Sequence, residues 1–240
     1  MNIVANRMHF RELNHMIRTS PEKEIFVENC VGQRFIGDGL SGKEITISGT
    51  PGNALGAYNN GSVITVRGNA QDATGDTMNS GEIRIFGMAG DATGYGMRGG
   101  RILVQGDTGY RAGIHMKAYR DKFPVLVVGG KAGSFLGEYL AGGRIIILGI
   151  GSDGSAPVGN FCGTGMHGGK IFLRCQTPPA GLPAQITSKK AGKKDLAEIR
   201  RDVEDFCALF DYDAKAVLED SFYLLTPNSH NPYKRLYTAN

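Results

Sequence analysis

Residues 61–87 read GSVITVRGNAQDATGDTMNSGEIRIFG and contain one full period of the pattern that decides the fold. A glycine opens a short run in which apolar residues alternate with others, and a second glycine closes it. The pattern recurs along the chain, and its first apolar residues are Ile45, Ile64, Ile83, Ile102, Val125, Ile145 and Ile171. The gaps between them are 19, 19, 19, 23, 20 and 26 residues, and Ile25 stands 20 residues before Ile45. Such a period indicates a repeat architecture.

Each repeat predicts a short β-strand. Its β-branched residues lie two positions apart, so they point to the same side of a strand. A helix is disfavoured because each glycine would cost it about 1 kcal/mol, and a β-sandwich usually spaces its strands by about 8–12 residues. We therefore predict an all-β protein, a right-handed, single-stranded parallel β-helix of about seven to eight coils with short capping helices at both ends. The seven apolar residues above would stack as an interior ladder.

The glycines keep the same step as the strands. Four glycines close successive strands, and another glycine follows each of them by seven residues: Gly49 and Gly56, Gly68 and Gly75, Gly87 and Gly94, Gly106 and Gly113. We interpret these eight as structural corner positions, because a corner that needs a positive φ accepts glycine without a Cβ penalty.

The repeat divides the chain into three parts. Residues 1–24 are predicted to be an N-terminal capping segment, in which Phe10, Leu13 and Ile17 recur at helical spacing. Residues 25–175 form the β-helix, and residues 176–240 supply a linker, an amphipathic helix over about 193–210 and a tail. The two helices either cap the solenoid, or the second docks on a partner chain. The aromatic residues of the tail are expected to pack against something.

Two long gaps predict insertions, around residues 115–123 and 151–165. Loops that project from a solenoid often lie on its binding face. We therefore select His115, Tyr119 and Phe161 as candidate partner contacts. Simple drift in loop length is the alternative explanation.

The composition predicts a soluble cytoplasmic protein. The formal net charge is +4, and the main basic run, residues 189–201, fits a solvated linker and helix face, so no nucleic-acid partner is expected. No segment resembles a signal peptide or a membrane span, so no membrane partner is expected. The four cysteines, interpreted as buried structural thiols, form no C-x-x-C pair and share no metal-site spacing with histidine.

The motifs predict no catalytic, cofactor-binding or metal-binding residue in this chain. Four G-x-G-x-x-G strings begin at Gly37, Gly94, Gly149 and Gly163, but no amphipathic helix follows any of them, as a dinucleotide site requires. G-x-S-x-G, H-E-x-x-H and P-loop patterns do not occur. The five histidines are scattered, and His167 is interpreted as structural.

Three stretches carry a family resemblance: GDATGYGMRGGRILVQGDTGYRAG (Gly90–Gly113), GGKAGSFLGEYLAGGRIIILG (Gly129–Gly149) and GNFCGTGMHGGKIFL (Gly159–Leu173). They resemble the GXGXG-motif family, which includes the C-terminal β-helix domain of the glutamate synthase large subunit. A non-catalytic component of formylmethanofuran dehydrogenase represents a sister branch. The resemblance implies a β-helix that holds catalytic units in place and performs no chemistry itself.

Three hypotheses for function follow. The first is a non-catalytic scaffold subunit of a split glutamate-synthase-like complex. That resemblance implies partner subunits that are a glutamine amidotransferase and a synthase carrying FMN and an iron–sulfur cluster. The second is the equivalent scaffold of a formylmethanofuran dehydrogenase or formyltransferase complex, and the third is a stand-alone hydrolase or carbohydrate-active β-helix. Self-association as a homo-oligomer stays open in all three.

Overall fold

A computed structural model describes residues 1–228, which form one eleven-stranded sheet and three helices. The tail residues 229–240, including Tyr233, Tyr237 and their predicted packing, lie outside this range. The strands are β1 (Asn2–Val4), β2 (Glu24–Val31), β3 (Glu44–Thr50), β4 (Asn60–Arg67), β5 (Ser80–Ile85), β6 (Gly100–Val104), β7 (Pro124–Val128), β8 (Ala141–Ile147), β9 (Gly168–Arg174), β10 (Ile186–Lys190) and β11 (Phe222–Pro227). The helices are α1 (Phe10–Thr19), α2 (Lys193–Phe210) and α3 (Ala214–Glu219).

The sheet follows chain order at one end and reverses at the other. Strands β1 to β9 pair with their sequence neighbours in parallel. Strand β11 then pairs antiparallel with both β9 and β10, so the order ends β9-β11-β10. The edge strand β10 carries Lys189 and Lys190, and charged side chains of this kind discourage pairing with another chain.

The predicted fold class is wrong. The protein is a single, mostly parallel eleven-stranded sheet with a long helix against one face, closer to an α/β arrangement than to an all-β right-handed β-helix. The physical reason is that each repeat contributes only one strand, while the rest of the repeat adopts tight turns. Helix α2 also covers a face of the sheet and does not cap an end.

The ladder residues lie in register on one face of the sheet. Ile64 stands opposite Ile45 and Ile83, and Ile102 follows Ile83. The next position belongs to Leu126, which stands opposite Ile102 and Ile145. Val125 is a correction, because it pairs with Arg101 and Arg144 on the other face. The longer gap before β7 shifts the register by one residue, and a one-residue slip moves a side chain to the opposite face.

The turns of successive repeats stack into a second layer, which we call the turn layer. It consists of seven five-residue segments, 35–39, 54–58, 73–77, 92–96, 111–115, 135–139 and 161–165. In every segment the first, third and fifth residues have a positive φ. Backbone hydrogen bonds join consecutive segments, as from Gly75 N to Leu55 O and from Gly94 N to Thr74 O, both 2.8 Å. The second residue of each segment is buried, so the inner core lies between turn layer and sheet.

The central residue of every turn segment is glycine because it faces the ladder. A Cβ on Gly75 (φ +71°) would lie 2.3 Å from Ile102 Cδ1, and one on Gly56 (φ +63°) 2.6 Å from Ile83 Cδ1. Among the predicted corner glycines, Gly87 and Gly106 do not adopt a positive φ. They are required for a different reason, since a Cβ there would approach the carbonyl oxygens of Gly68 and Gly87 to 2.7 and 3.0 Å.

Aspartate side chains tie one repeat to the next. Asp72 Oδ1 accepts a hydrogen bond from Asp91 N at 2.9 Å, and Asp91 Oδ1 accepts one from Tyr110 N at 2.8 Å. Asp107 Oδ1 accepts one from Lys131 N at 2.6 Å. The aspartates of the DATG motifs thus satisfy backbone donors of the following repeat.

Helix α2 forms an outer core with the opposite face of the sheet. Its apolar stripe of Ile199, Val203, Phe206 and Phe210 packs among outward-facing sheet residues, which include Leu103, Val127, Ile146, Leu148 and Phe172. Both expectations for this helix, an end cap or a partner-docking element, are therefore wrong. Helix α1 instead buries Leu13 and Ile17 in the inner core, and Asn14 Nδ2 donates to Arg34 O at 2.8 Å.

Three ion pairs cross from α2 to the sheet in a regular order. Lys170 pairs with Glu198 at 2.6 Å, Arg144 with Asp202 at 2.9 Å, and Arg101 with Asp205 at 2.5 Å. Strands lie about 4.8 Å apart, and helix residues three or four apart are separated by about 4.5–6 Å along the axis. The helix therefore crosses the strands so that its acids meet cations of β9, β8 and β6.

Candidate functional site

The candidate partner contacts lie on or beside the exposed side of the turn layer. His115 is the fifth residue of segment 111–115 (φ +55°), and Phe161 is the first residue of segment 161–165 (φ +61°). Neither belongs to an insertion, because the added residues form the stretches around 117–123 and 149–158. Tyr119 does lie in the first insertion. All three side chains are exposed, Tyr119 to 46% and Phe161 to 55%.

A first aromatic column runs through the first positions of the last segments. Phe135 and Phe161 stack with ring centroids 4.9 Å apart and planes inclined by 25°. The Arg111 guanidinium lies 4.7 Å from the centre of the Phe135 ring and donates to Glu138 Oε2 at 3.0 Å. The arginine therefore continues the column by one repeat through a cation–π contact.

A second aromatic column runs through the far ends of the same segments. The rings of His115 and Tyr139 stack at 5.1 Å with planes inclined by only 9°, and Tyr95 contacts His115 edge-on at 5.8 Å. Tyr139 lies over Gly165, where a Cβ would come within 2.5 Å of the ring. Together the two columns form an exposed aromatic surface at the C-terminal half of the turn layer.

The backbone beneath these columns is strained. His115, Phe135, Tyr139 and Phe161 adopt left-handed conformations with φ between 52° and 63°. Such a conformation costs an L-residue roughly 1–2 kcal/mol, whereas glycine avoids the cost and occupies the equivalent positions Gly39, Gly96 and Gly165. Strain of this kind at exposed bulky residues is typical of positions that bind something.

The first insertion folds back as a tight hairpin beside His115. Tyr119 N donates to Lys122 O at 3.1 Å and Lys122 N donates to Tyr119 O at 3.0 Å. The Arg120 guanidinium lies 5.1 Å from the Tyr119 ring centre. These contacts hold the Tyr119 ring in place as one wall of a cavity.

That cavity, which we call the cationic groove, has a volume of about 520 Å³ and is lined by Thr77, Gly96, Arg98, His115, Lys117 and Tyr119. Arg98 and Lys117 occupy the same position in consecutive repeats, since their backbone N–H groups donate to Met78 O and Met97 O at 2.8 and 3.0 Å. Neither side chain makes an ion pair or hydrogen bond with any other residue in 1–228. Two like charges about one strand spacing apart repel each other.

The acidic residues near the groove do not line it. Asp76 accepts a hydrogen bond from Thr77 Oγ1 at 2.7 Å, and Glu138 is engaged by Arg111. Asp121 lies in the hairpin, between Arg120 and Lys122. The sequence-based selection missed Arg98 and Lys117, although their separation of 19 residues, one repeat, was the available signal.

The second insertion is held by local contacts. Asp153 Oδ1 accepts hydrogen bonds from the hydroxyl and backbone N–H of Ser155 at 2.6 and 3.0 Å. These bonds lower the pKa of the Asp153 carboxyl below its usual value. The carboxylate therefore stabilises the loop around it.

The cysteines are free and buried. Burial raises the pKa of the Cys162 thiol to about 12 and those of Cys30 and Cys175 to about 11. These thiols stay protonated at neutral pH and are poor nucleophiles. Within the described range no three His, Cys, Asp or Glu side chains are placed to hold a metal ion, and no helix is long and apolar enough to cross a membrane.

Comparison with known proteins extends the match beyond the repeat. The GXGXG motif family matches residues 22–228, a range that includes α2, α3 and β11. The chain is also 45% identical over 249 aligned positions to an uncharacterized protein of Methanocaldococcus jannaschii, and the alignment covers 98% of this chain and 95% of that protein.

Proposed function

Because the chain belongs to the GXGXG motif family, we propose that it is a non-catalytic structural subunit of a split glutamate-synthase-like complex. A glutamine amidotransferase subunit supplies ammonia in this complex. A synthase subunit that carries FMN and an iron–sulfur cluster transfers the ammonia to an oxo acid or a related acceptor. We place the complex in the cytoplasm, a reducing compartment in which buried free thiols persist.

The observation that carries the proposal is the double aromatic column on the turn layer. Exposed aromatic side chains that are clustered and held rigidly are characteristic of protein interfaces. The strained backbone under His115, Phe135, Tyr139 and Phe161 supports the same interpretation, because a partner that covers these rings gains contact area with little loss of side-chain freedom.

The sheet suits the role of a rigid spacer. Nine strands in chain order, β1 to β9, are separated by eight steps of about 4.8 Å, which span roughly 38 Å. Every step is held by a parallel ladder on one side and by stacked turns on the other. Partner subunits bound at different repeats are therefore kept at a fixed separation.

Affinity purification from the native host at low salt tests the proposal. We expect a flavin-containing subunit and an amidotransferase to co-purify with the chain, and removal of the chain to abolish coupled turnover of the complex. Recovery of molybdopterin or amidohydrolase subunits would favour the formylmethanofuran or formyltransferase alternative. Normal turnover without the chain would contradict a structural role.

Two phenylalanines in equivalent turn positions offer a matched pair for this experiment. Phe161→Ala removes the exposed end of the first aromatic column, whereas Phe35→Ala truncates the same position at the other end of the turn layer. We expect Phe161→Ala to weaken retention of a partner subunit at least tenfold and Phe35→Ala to weaken it less. Equal retention by both variants would exclude the aromatic columns as the binding surface.

A further inference from the structure

The cationic groove has the features of a site for carboxylates. Arg98 and Lys117 line it without ionic partners among residues 1–228. On the opposite side of the molecule, by contrast, the sheet cations Arg101, Arg144 and Lys170 are each paired with an acid of α2. An anion bound between Arg98 and Lys117 would relieve the repulsion between them.

The two charges are confined to one place in the fold. In the preceding repeat the equivalent position is Asn79, whose N–H donates to Asn59 O, and in the following repeat it is Ala141, whose N–H donates to Met116 O. The positive charge is therefore concentrated on two adjacent repeats, beside the hairpin that adds Arg120 and Lys122.

The walls of the groove favour a peptide over a free ion. Tyr119 and His115 present ring surfaces next to the cations, and a cavity of about 520 Å³ accommodates several side-chain groups. A nucleic acid fits less well, because backbone phosphates are normally bound by an extended series of cations with aromatic rings spaced along the strand.

We propose that the cationic groove binds an acidic segment of a partner subunit, with carboxylates at Arg98 and Lys117 and an apolar side chain against Tyr119. This inference rests on the function proposed above and adds the chemistry of the partner. The Tyr119 hairpin is already closed by its own hydrogen bonds, so the groove binds without rearrangement of its backbone.

Carbodiimide cross-linking of the purified native complex tests the contact directly, because this reagent joins a lysine amine to a carboxylate in contact with it. We expect mass spectrometry to identify an amide between Lys117 and an aspartate or glutamate of a co-purified subunit. An intact complex in which Lys117 reacts with no partner carboxylate would contradict the proposal.

Charge reversal provides a matched test of affinity. The double variant Arg98→Glu/Lys117→Glu changes the net charge by the same amount as Lys193→Glu/Lys194→Glu, which alters exposed lysines in the first turn of α2. With the fold of both variants verified by circular dichroism, we expect the groove variant to lose partner affinity at least tenfold and the α2 variant to bind as the wild type. The wild-type affinity should also fall with salt more steeply than that of Arg98→Gln/Lys117→Gln.

The outcomes separate this inference from the proposed function. If the wild-type chain recovers no partner subunit, both are wrong. If a partner is recovered and the groove variant retains it fully, only the groove assignment is wrong. It is equally wrong if nuclease treatment releases the bound material, or if the variant changes only the KM for a small carboxylate while assembly stays intact.

Discussion

The two faces of the sheet are packed by different means. On the inner face, isoleucine side chains approach the backbone of the turn layer, and the room for a single carbon atom at Gly75 decides whether the layers fit. On the outer face, α2 contacts the sheet through side chains and through three ion pairs. The inner core is therefore sensitive to shape at the level of one methyl group, whereas side chains of the outer core can adjust to a change.

The largest expected effect comes from a charge in the inner ladder. Ile83 is fully buried between Ile64 and Ile102, and Ile83→Asp places an unpaired carboxylate there, a change large enough to prevent folding. Ser48→Asp introduces the same group at an exposed strand position and should leave the melting temperature almost unchanged. Circular dichroism melts of the two variants decide the point, and similar melting temperatures would contradict the assignment of the ladder.

A smaller effect separates two glycines with the same backbone conformation. Gly75→Ala combines the strain of a positive φ with a Cβ 2.3 Å from Ile102 Cδ1, whereas at Gly94 the nearest such contact is 3.7 Å. We expect a loss in the free energy of unfolding of about 2–4 kcal/mol for Gly75→Ala and about 1 kcal/mol for Gly94→Ala. Denaturant titrations provide the measurement.

Adding Ile102→Val to Gly75→Ala removes the opposing Cδ1 atom and sharpens this test. The double variant should recover part of the loss, because the steric contribution disappears and only backbone strain remains. Simple additivity of the two substitutions would show that contact with the ladder is not the cause.

Breaking an ion pair of the outer core should cost less. The side chains of Arg144 and Asp202 are 17% and 10% exposed, and Asp202→Ala leaves the guanidinium with little compensation apart from its contact to Glu198 O. We expect a loss of about 2 kcal/mol, and recovery of most of it in Arg144→Met/Asp202→Leu, because an apolar pair can replace a buried ionic one. If the double variant is the less stable of the two, the outer core is as intolerant as the inner core.

The smallest effects concern pH and have opposite signs at two aspartates. Hydrogen bonding by Ser221 N–H, with a contribution from Arg174, lowers the pKa of Asp220, so its stabilisation is present above the unfolded pKa and is lost as the pH falls through the folded pKa. Burial raises the pKa of Asp202 despite the nearby Arg144, so its contribution is present below the unfolded pKa and is lost as the pH rises through the folded pKa.

From neutral pH to about pH 3, Asp220→Asn should therefore lose less stability than the wild type, and Asp202→Asn should lose more. Melting temperatures across this range provide the measurement. A change of the same sign in both variants would contradict the assigned causes.

Much of the inner core was predictable from spacing alone. The 19-residue step places Ile45, Ile64, Ile83 and Ile102 on one side of consecutive strands, and the structure has them in register. The step fails at Val125, where residues inserted in the hairpin leave two neighbouring apolar positions, and only strand pairing selects Leu126.

The candidate site was predictable only in part. His115 and Phe161 were selected because they lie near long gaps, yet they belong to regular turn segments, and their aromatic neighbours come from other repeats. Arg98 and Lys117 are unremarkable in sequence. Their significance arises because stacking brings them to adjacent rungs without an acidic partner.

The sequence by itself determined the repeat, the side of each early strand that faces the core and the need for glycine at the centre of each turn, because these depend on local periodicity and backbone conformation. Only the tertiary structure decided that the strands form a single sheet, that α2 covers its outer face and that two unpaired cations share a groove. These features depend on contacts between residues far apart in the chain. Strands β7 to β9 are apolar on both faces, and what covers the second face depends on where α2 can align its acids with their cations.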